Sequence, residues 1–353
     1  MKFYVTLFLC LMLGSSIAQI GGNHTFQFLN FTQSARVESL GGYLLTIRDN
    51  DATLGQENPA LLNRENHGMV NLNYSDYFAN SKYGFTSYTK HITNVGTFNA
   101  AMLYANYGKF EYANVDGDRD GTTFNASDLA LKIGYGRPID SLWSVGANLK
   151  LLGSFYESYT AYGAALDFGA NYYKKSSQFG FGFLARNIGM QFKGYTDNNR
   201  EKLPFEMIAQ VSKKLEHAPF RFSLAYHNIQ KWNLLYYDEA NRFTRDPLTG
   251  QTIENKPPWF GKKLASHIVL AGEMLLTENF HIRFAYNHGQ RQQLKMDIKP
   301  GMTGFSFGFG MKIKNFHLSY AINKFHISGT SNQITISKRF GKMPVEDTFY
   351  RQY

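Results

Sequence analysis

What most constrains this chain is a two-residue rhythm that repeats down almost its whole length. In "SVGANLKLLG" the positions Val145, Ala147, Leu149 and Leu151 alternate with Ser144, Gly146, Asn148 and Lys150. "YGAALDFGANYY" sets Tyr162, Ala164, Leu166, Phe168, Ala170 and Tyr172 against Gly163, Asp167, Gly169 and Asn171. Successive side chains of a strand point to opposite sides, so such segments are strands with one greasy face and one small, polar or charged face. The pattern predicts fourteen strands, near 67–76, 79–91, 96–108, 124–137, 141–157, 160–174, 177–192, 203–215, 219–236, 264–276, 280–294, 301–313, 315–328 and 331–341.

A secreted β-sandwich has the same alternation, but three features favour a barrel in a membrane. Many segments run past ten residues, which suits tilted crossing strands better than globular sheets. The polar face carries Lys132, Lys150, Asp167, Arg186, Arg221 and Arg283 together with many glycines, as a lumen would. Short joints alternate with long ones, as the turns and loops of outer-membrane barrels do. The aromatic content of 16%, almost all Phe and Tyr, fits strands. The expected fold is therefore all-β, a transmembrane outer-membrane β-barrel of about 14 antiparallel strands with an N-terminal hatch or plug segment.

The first eighteen residues, "MKFYVTLFLCLMLGSSIA", read as a secretory signal peptide: one early cation, an apolar core and a small-residue exit. That core is about half the length that a crossing helix needs, and nothing later in the chain is long and apolar enough. The only cysteine, Cys10, lies in the leader, so the mature chain offers no disulfide, thiolate metal site or cysteine nucleophile. With 37 Lys and Arg against 27 Asp and Glu the chain is basic. On an exported protein that favours outer-membrane lipids and lipopolysaccharide over nucleic acid.

No enzyme emerges. Gly304-Phe305-Ser306-Phe307-Gly308 spells G-x-S-x-G, but alternation continues through Phe309 and Met311 where a nucleophile elbow needs a sharp turn into a helix. Ser306 is then an inward wall residue, Phe305, Phe307 and Phe309 face lipid, and His317 on the next strand makes no triad by itself. Asp116, Asp118, Asp120 and Gly121 fit the opening of a calcium loop, yet its twelfth position is Ser127 rather than Glu. The sequons at Asn23 and Asn30 carry little weight in a bacterial-looking barrel. No zinc-protease, P-loop or dinucleotide fingerprint is present, and neither cofactor nor metal is expected.

The division expected is a leader at 1–18, a hatch at 19–66, the barrel at 67–342 and a periplasmic tail at 343–353. Arg36, Arg48, Asp49, Asp51, Asn58 and Pro59 should lie in or at the mouth of the lumen, the charged ones pairing with inward charges of the wall. Loops near 109–123, 193–202, 237–263 and 295–300 should share the outer side, with both termini periplasmic. In the longest loop, Tyr236, Tyr237, Phe243, Asp246, Pro247 and Trp259 are candidates for a partner surface, with Arg242, Arg245, Lys262 and Lys263 at its rim.

The segment "ARVESLGGYLLTIRDNDATLGQENPALL", ending in its Asn-Pro-Ala turn, resembles the hatch of the FadL-like, PorV-related barrels. Within that superfamily, "FLNFTQSARVESLGGYLLTIRDND", "NYSDYFANSKYGFTSY" and above all "YYDEANRFTRDPLTGQTIENKPPWFGKK" resemble the PorQ family of the type IX secretion system, over essentially the whole mature chain. The resemblance implies a non-enzymatic outer-membrane anchor for a PorZ-like surface protein. PorU and PorV would share its attachment complex, where cargo is joined to lipopolysaccharide. The alternative it leaves open is a FadL-like channel for hydrophobic small molecules; a barrel hydrolase is the third and least supported class.

Overall fold

The computed structural model describes residues 24–345 and 347, apart from 78–79, 115, 120, 198, 236, 238–241, 246–251, 255, 295–300 and 327–328. Fourteen antiparallel strands close into a barrel. They are β1 (Met69–Asp76), β2 (Lys82–Ile92), β3 (Gly96–Glu111), β4 (Thr123–Pro138), β5 (Trp143–Tyr156), β6 (Tyr159–Lys174), β7 (Phe179–Lys193), β8 (Glu206–Lys214), β9 (Phe220–Tyr226), β12 (Ile268–Leu275), β13 (Phe280–Asn287), β14 (Phe305–Ile313), β15 (Phe316–His326) and β16 (Gly329–Arg339). The two strands missing from that series, β10 (Phe243–Arg245) and β11 (Thr252–Glu254), form a small separate hairpin inside the loop between β9 and β12. Closure comes from β1 pairing with β16, in register from Met69 opposite Arg339 to Asp76 opposite Asn332.

The two-residue rhythm sorts the wall as expected. Leu131 and Ile133 on β4 stand directly opposite Leu151 and Leu149 on β5 on the outside, while Lys132 and Lys150 face each other on the inside. Phe307 and Phe309 are exposed outward and Ser306 is fully buried inward. Ser306 pairs with Ala285 and Asn323 in uninterrupted ladders, so the G-x-S-x-G match is wall and not an elbow. No helix of the described residues is long and apolar enough to cross a membrane.

Three expected strands run longer than the observed ones. The ninth stops at Tyr226 rather than 236, and the tenth starts at Ile268 after a short helix, α3 (Phe260–Ala265). The eleventh ends at Asn287 and passes into α4 (His288–Leu294), because "HGQRQQL" offers helix-forming Gln, Arg and Leu and no alternating apolar face. All the long joints do gather at one end of the barrel, here the loop end; the short joints 93–95, 139–142, 175–178, 215–219, 276–279 and 314–315 define the turn end.

Residues 24–66 precede β1 and lie within the barrel as short helical turns, among them α1 (Ala35–Ser39) and α2 (Leu54–Glu57). Most of this segment is buried, and its partners are inward-facing residues of the wall. It enters at the loop end, where the Thr25 N–H bonds to Lys202 O at 3.1 Å and His24 bridges to Lys202. It leaves at the turn end, where Arg339 donates to Glu65 O and Arg64 donates to Pro344 O. His24 therefore lies at the end of the barrel opposite the C-terminal tail, while the expected position of the trimmed N-terminus itself falls outside the described residues. An even strand count fixes the ends of β1 and β16, and places no constraint on a segment that runs back through the lumen first.

Candidate functional site

The lumen and the long loop are the two places where this fold can carry a function. Near the turn end, α1 is capped by Ser34, whose Oγ accepts from the Arg36 N–H, and this aims Arg36 at the wall. Arg36 donates to Asp49 at 2.8 Å and to Asp51 at 3.2 Å within the segment, and to Glu273 of β12 at 3.3 Å. Glu273 also takes Arg283 of β13 at 3.1 Å and Arg221 of β9 at 2.8 Å. Three guanidinium groups and three carboxylates thus neutralise one another across the segment-wall boundary. Burial alone would raise Asp51, but Arg36 and the hydrogen bonds from Thr53 more than offset it and hold the carboxyl below its ordinary range. A polar cavity of about 130 Å³ opens beside this cluster, lined among others by Arg36, Asp49, Asp51, His281, Arg283 and His317.

Farther along, Arg186 of β7 meets Glu206 of β8 at 2.5 Å and Glu57 of α2 at 3.9 Å. Tyr43 donates to Glu206 at 3.2 Å and stacks on His227, ring centroids 4.8 Å apart. The facing lysines on β4 and β5 would repel each other were they left alone. Lys150 turns to Asp167 at 2.7 Å, while Lys132 turns into the segment and donates to Gln33 Oε1 at 2.8 Å. Glu38, 2% exposed, accepts from Thr32 and from Asn323 of β15.

The Asn-Pro-Ala turn is fitted by shape. Asn58 accepts from the Ala60 N–H and donates to Leu45 O and to Ala170 O of β6. Gly136, Gly146 and Gly169 lie directly opposite one another across β4, β5 and β6. A Cβ at any of the three would collide with Asn58 or Pro59, so this glycine row is the hollow that admits the turn. Ser144 fastens its far side by donating to Ala60 O at 2.7 Å.

Toward the loop end the chemistry changes. Phe26, Phe28 and Leu29 pack into an apolar cradle of Tyr83, Phe85, Leu103, Ala130, Leu152 and Ala165, and Phe31 stacks on Tyr83 at 4.7 Å. These residues were absent from the expected site. The signal was there in "HTFQFLNF", whose apolar residues recur in a stretch treated as polar hatch.

Of the expected lumen residues, Arg36, Asp49 and Asp51 are brought together in the ionic cluster, while Asn58 and Pro59 sit apart from them against the glycine row of β4, β5 and β6. Arg48 lies on the same segment and is half-buried. Of the expected loop residues, Phe243 (62%) and Trp259 (72%) are strongly exposed, and Tyr237 is half-buried. Arg242 pairs with Glu254 at 2.7 Å across the β10-β11 hairpin. Lys262 and Lys263 form the last turn of α3. Tyr236, Asp246 and Pro247 lie outside the described residues, as does the side chain of Arg245.

The calcium-like loop is ordered by its own chain: Asn114 Oδ1 accepts the N–H groups of Asp116 and Asp118, and Ser127 belongs to β4. Asp120 lies outside the described residues, among which no cluster of acidic, His or Cys residues could hold a metal. One row has the outline of a hydrolytic triad: His91 meets Thr97 at 2.9 Å and Asp347 at 3.1 Å. Thr97 is buried, so no substrate reaches its hydroxyl, and the row serves to tie the C-terminal tail to the β2-β3 hairpin.

No protein-family model matches the chain, and no curated protein matches it by sequence. Solved structures do match it in fold. The Ralstonia pickettii toluene transporter TbuX is 12% identical, with 90% of this chain and 100% of that one covered and a TM-score of 0.52. A Pseudomonas aeruginosa FadL homologue is 9% identical, with 88% and 99% covered and a TM-score of 0.51. A variant of the TodX monoaromatic hydrocarbon channel is 12% identical, with 90% and 100% covered and a TM-score of 0.52. The chain therefore has the fold of FadL-type outer-membrane barrels.

Proposed function

We propose that this protein is a non-enzymatic barrel of the bacterial outer membrane that serves as a membrane anchor in a type IX secretion attachment complex. In this reading the loop end faces outward and docks a PorZ-like surface protein, PorU and PorV act in the same complex, and lipopolysaccharide receives the cargo. The observation that carries it is the filled lumen. Residues 24–66 run through it from end to end and are held by ion pairs, a shape-fitted turn and an apolar cradle. A barrel so closed works through its surface, and Phe243 and Trp259 are strongly exposed aromatic side chains of its long loop. The test is replacement of Tyr237, Phe243 and Trp259 together by Ala. The barrel should stay heat-modifiable on gels while a co-purifying surface protein is lost. Retention of that protein by the folded triple variant would defeat the docking role.

A second reading, a gated channel for hydrophobic small molecules, is favoured by the cradle around Phe26, Phe28 and Leu29 and by fold neighbours named as toluene and hydrocarbon transporters. It is tested by reconstituting the protein in liposomes. Uptake of an apolar probe such as toluene above empty-liposome rates, increased by Phe28→Ala, would support the channel; rates equal to empty liposomes for both proteins would remove it.

A further inference from the structure

A ledge of stacked rings, buried at its base and exposed at its top, rises from the outward wall at the foot of the long loop. Tyr226 stands on the outward face of β9 in line with exposed Phe222 and Leu224. His267 stacks on Tyr226 with centroids 4.9 Å apart, Trp232 stacks on His267 at 5.6 Å, and Phe260 leans on Trp232 at 5.3 Å. The base is fixed, because the ring nitrogens of buried His267 lie 2.8 and 3.1 Å from the carbonyl oxygens of His227 and Trp232. The top is open: Trp232, Trp259 and Phe260 are all exposed. Ile229, whose N–H bonds to Met207 O, extends the ledge sideways toward exposed Phe205.

Cations border the rings. Lys231 precedes Trp232, and Lys262 and Lys263 lie within the six-residue helix that Phe260 begins; all three are half-buried. Among the described residues no ion pair joins any of the three to a carboxylate. Aromatic side chains with an apolar body settle at a membrane boundary, and lysines beside them are drawn to anionic headgroups.

We propose that this ledge binds the phosphorylated headgroup of an outer-leaflet glycolipid. Trp232 and Phe260 lie at the acyl boundary, and Lys231, Lys262 and Lys263 engage the phosphates. The inference rests on the outward orientation of the loop end given above and holds whether the barrel anchors or transports. A lipid is the occupant because the stack continues the lipid-contacting wall through Tyr226, where membrane already lies.

The experiment is native mass spectrometry of the purified barrel titrated with lipid A and with its dephosphorylated form. The wild type should retain lipid A in preference to the dephosphorylated form, and inorganic phosphate should not compete. The variant Lys231→Gln/Lys262→Gln/Lys263→Gln, confirmed as folded by heat-modifiable migration, should lose roughly tenfold or more of that retention. Should the triple variant not fold, the single variants Lys262→Gln and Lys263→Gln are measured instead, each expected to lose severalfold. Equal retention by variant and wild type, or equal binding of the two lipid forms, would overturn the proposal. So would a variant that keeps lipid A but releases a surface protein, which would give the ledge to a protein partner.

Discussion

The two halves of the lumen are closed by different physics. At the turn end, Arg36, Arg221 and Arg283 share Glu273, and each member of the cluster needs the others to be tolerable away from water. At the loop end, Phe26, Phe28 and Leu29 sit in an apolar cradle whose contacts are additive and non-directional. The difference teaches that one half is locked and the other is merely filled. Removing one ion strands the rest; removing one ring leaves a cavity and little else. Any opening of this barrel should therefore begin at the loop end.

The largest expected effect breaks the locked half. Glu273→Ala leaves two buried guanidinium groups and half-buried Arg221 without their common carboxylate, a change that costs about 3–5 kcal/mol when one member of a buried pair is removed. Urea unfolding followed by heat-modifiable migration should show that loss, with protease reaching residues 35–66. A change under about 1 kcal/mol would mean that water already satisfies the cluster and that the half is not locked.

The next effect breaks the filled half alone. Phe28→Ala removes a buried ring at a cost of about 3 kcal/mol, but it strands no charge, so the release should stay local. Cys10 is the single cysteine of the chain, so His24→Cys combined with Cys10→Ser is a clean reporter. In the background of Phe28→Ala, a maleimide applied at the loop end should label it faster, while residues 35–66 stay resistant to protease. Labelling of His24→Cys only from the turn end would refute the path of the segment through the lumen.

The same contrast explains what could be read without coordinates. Alternation is a local signal, so the strands, the inward lysines and the outward phenylalanines were legible. The ionic partners of Arg36 were legible only as a need: the sequence shows Asp49 and Asp51 nearby, but Glu273 is 237 residues away and is brought in by closure of the sheet. Gly136, Gly146 and Gly169 look unrelated until the strand register places them in one row. The helices at 260–265 and 288–294 were overrun because apolar alternation was carried past its last true repeat. The path of residues 24–31 was missed because nothing local says which end of a barrel a preceding segment enters.

The smallest effect sharpens the comparison by pH. Burial holds Glu38 above the ordinary carboxyl range, with the hydrogen bonds from Thr32 and Asn323 offsetting only part of it. Burial likewise raises Glu57 against the pull of Arg186 and Lys132. A carboxyl whose folded value is raised contributes stability that is complete below its unfolded value, about 4.3, and is lost as pH rises through the folded value. Asp51 acts in the opposite sense: its lowered value contributes stability above about 3.9, lost as pH falls through the folded value. Protection of residues 32–57 from protease should therefore weaken as pH rises from mildly acidic toward neutral, while Asp51 keeps the Arg36 end closed throughout that range. Glu38→Gln keeps the side-chain shape and an acceptor for Thr32 but cannot ionise, so it should flatten the decline, and the label at His24→Cys should not change with it. A decline of the same slope in Glu38→Gln and in wild type would assign the pH response to groups other than Glu38, leaving Glu57→Gln as the variant that decides whether the buried carboxyls of the segment set it at all.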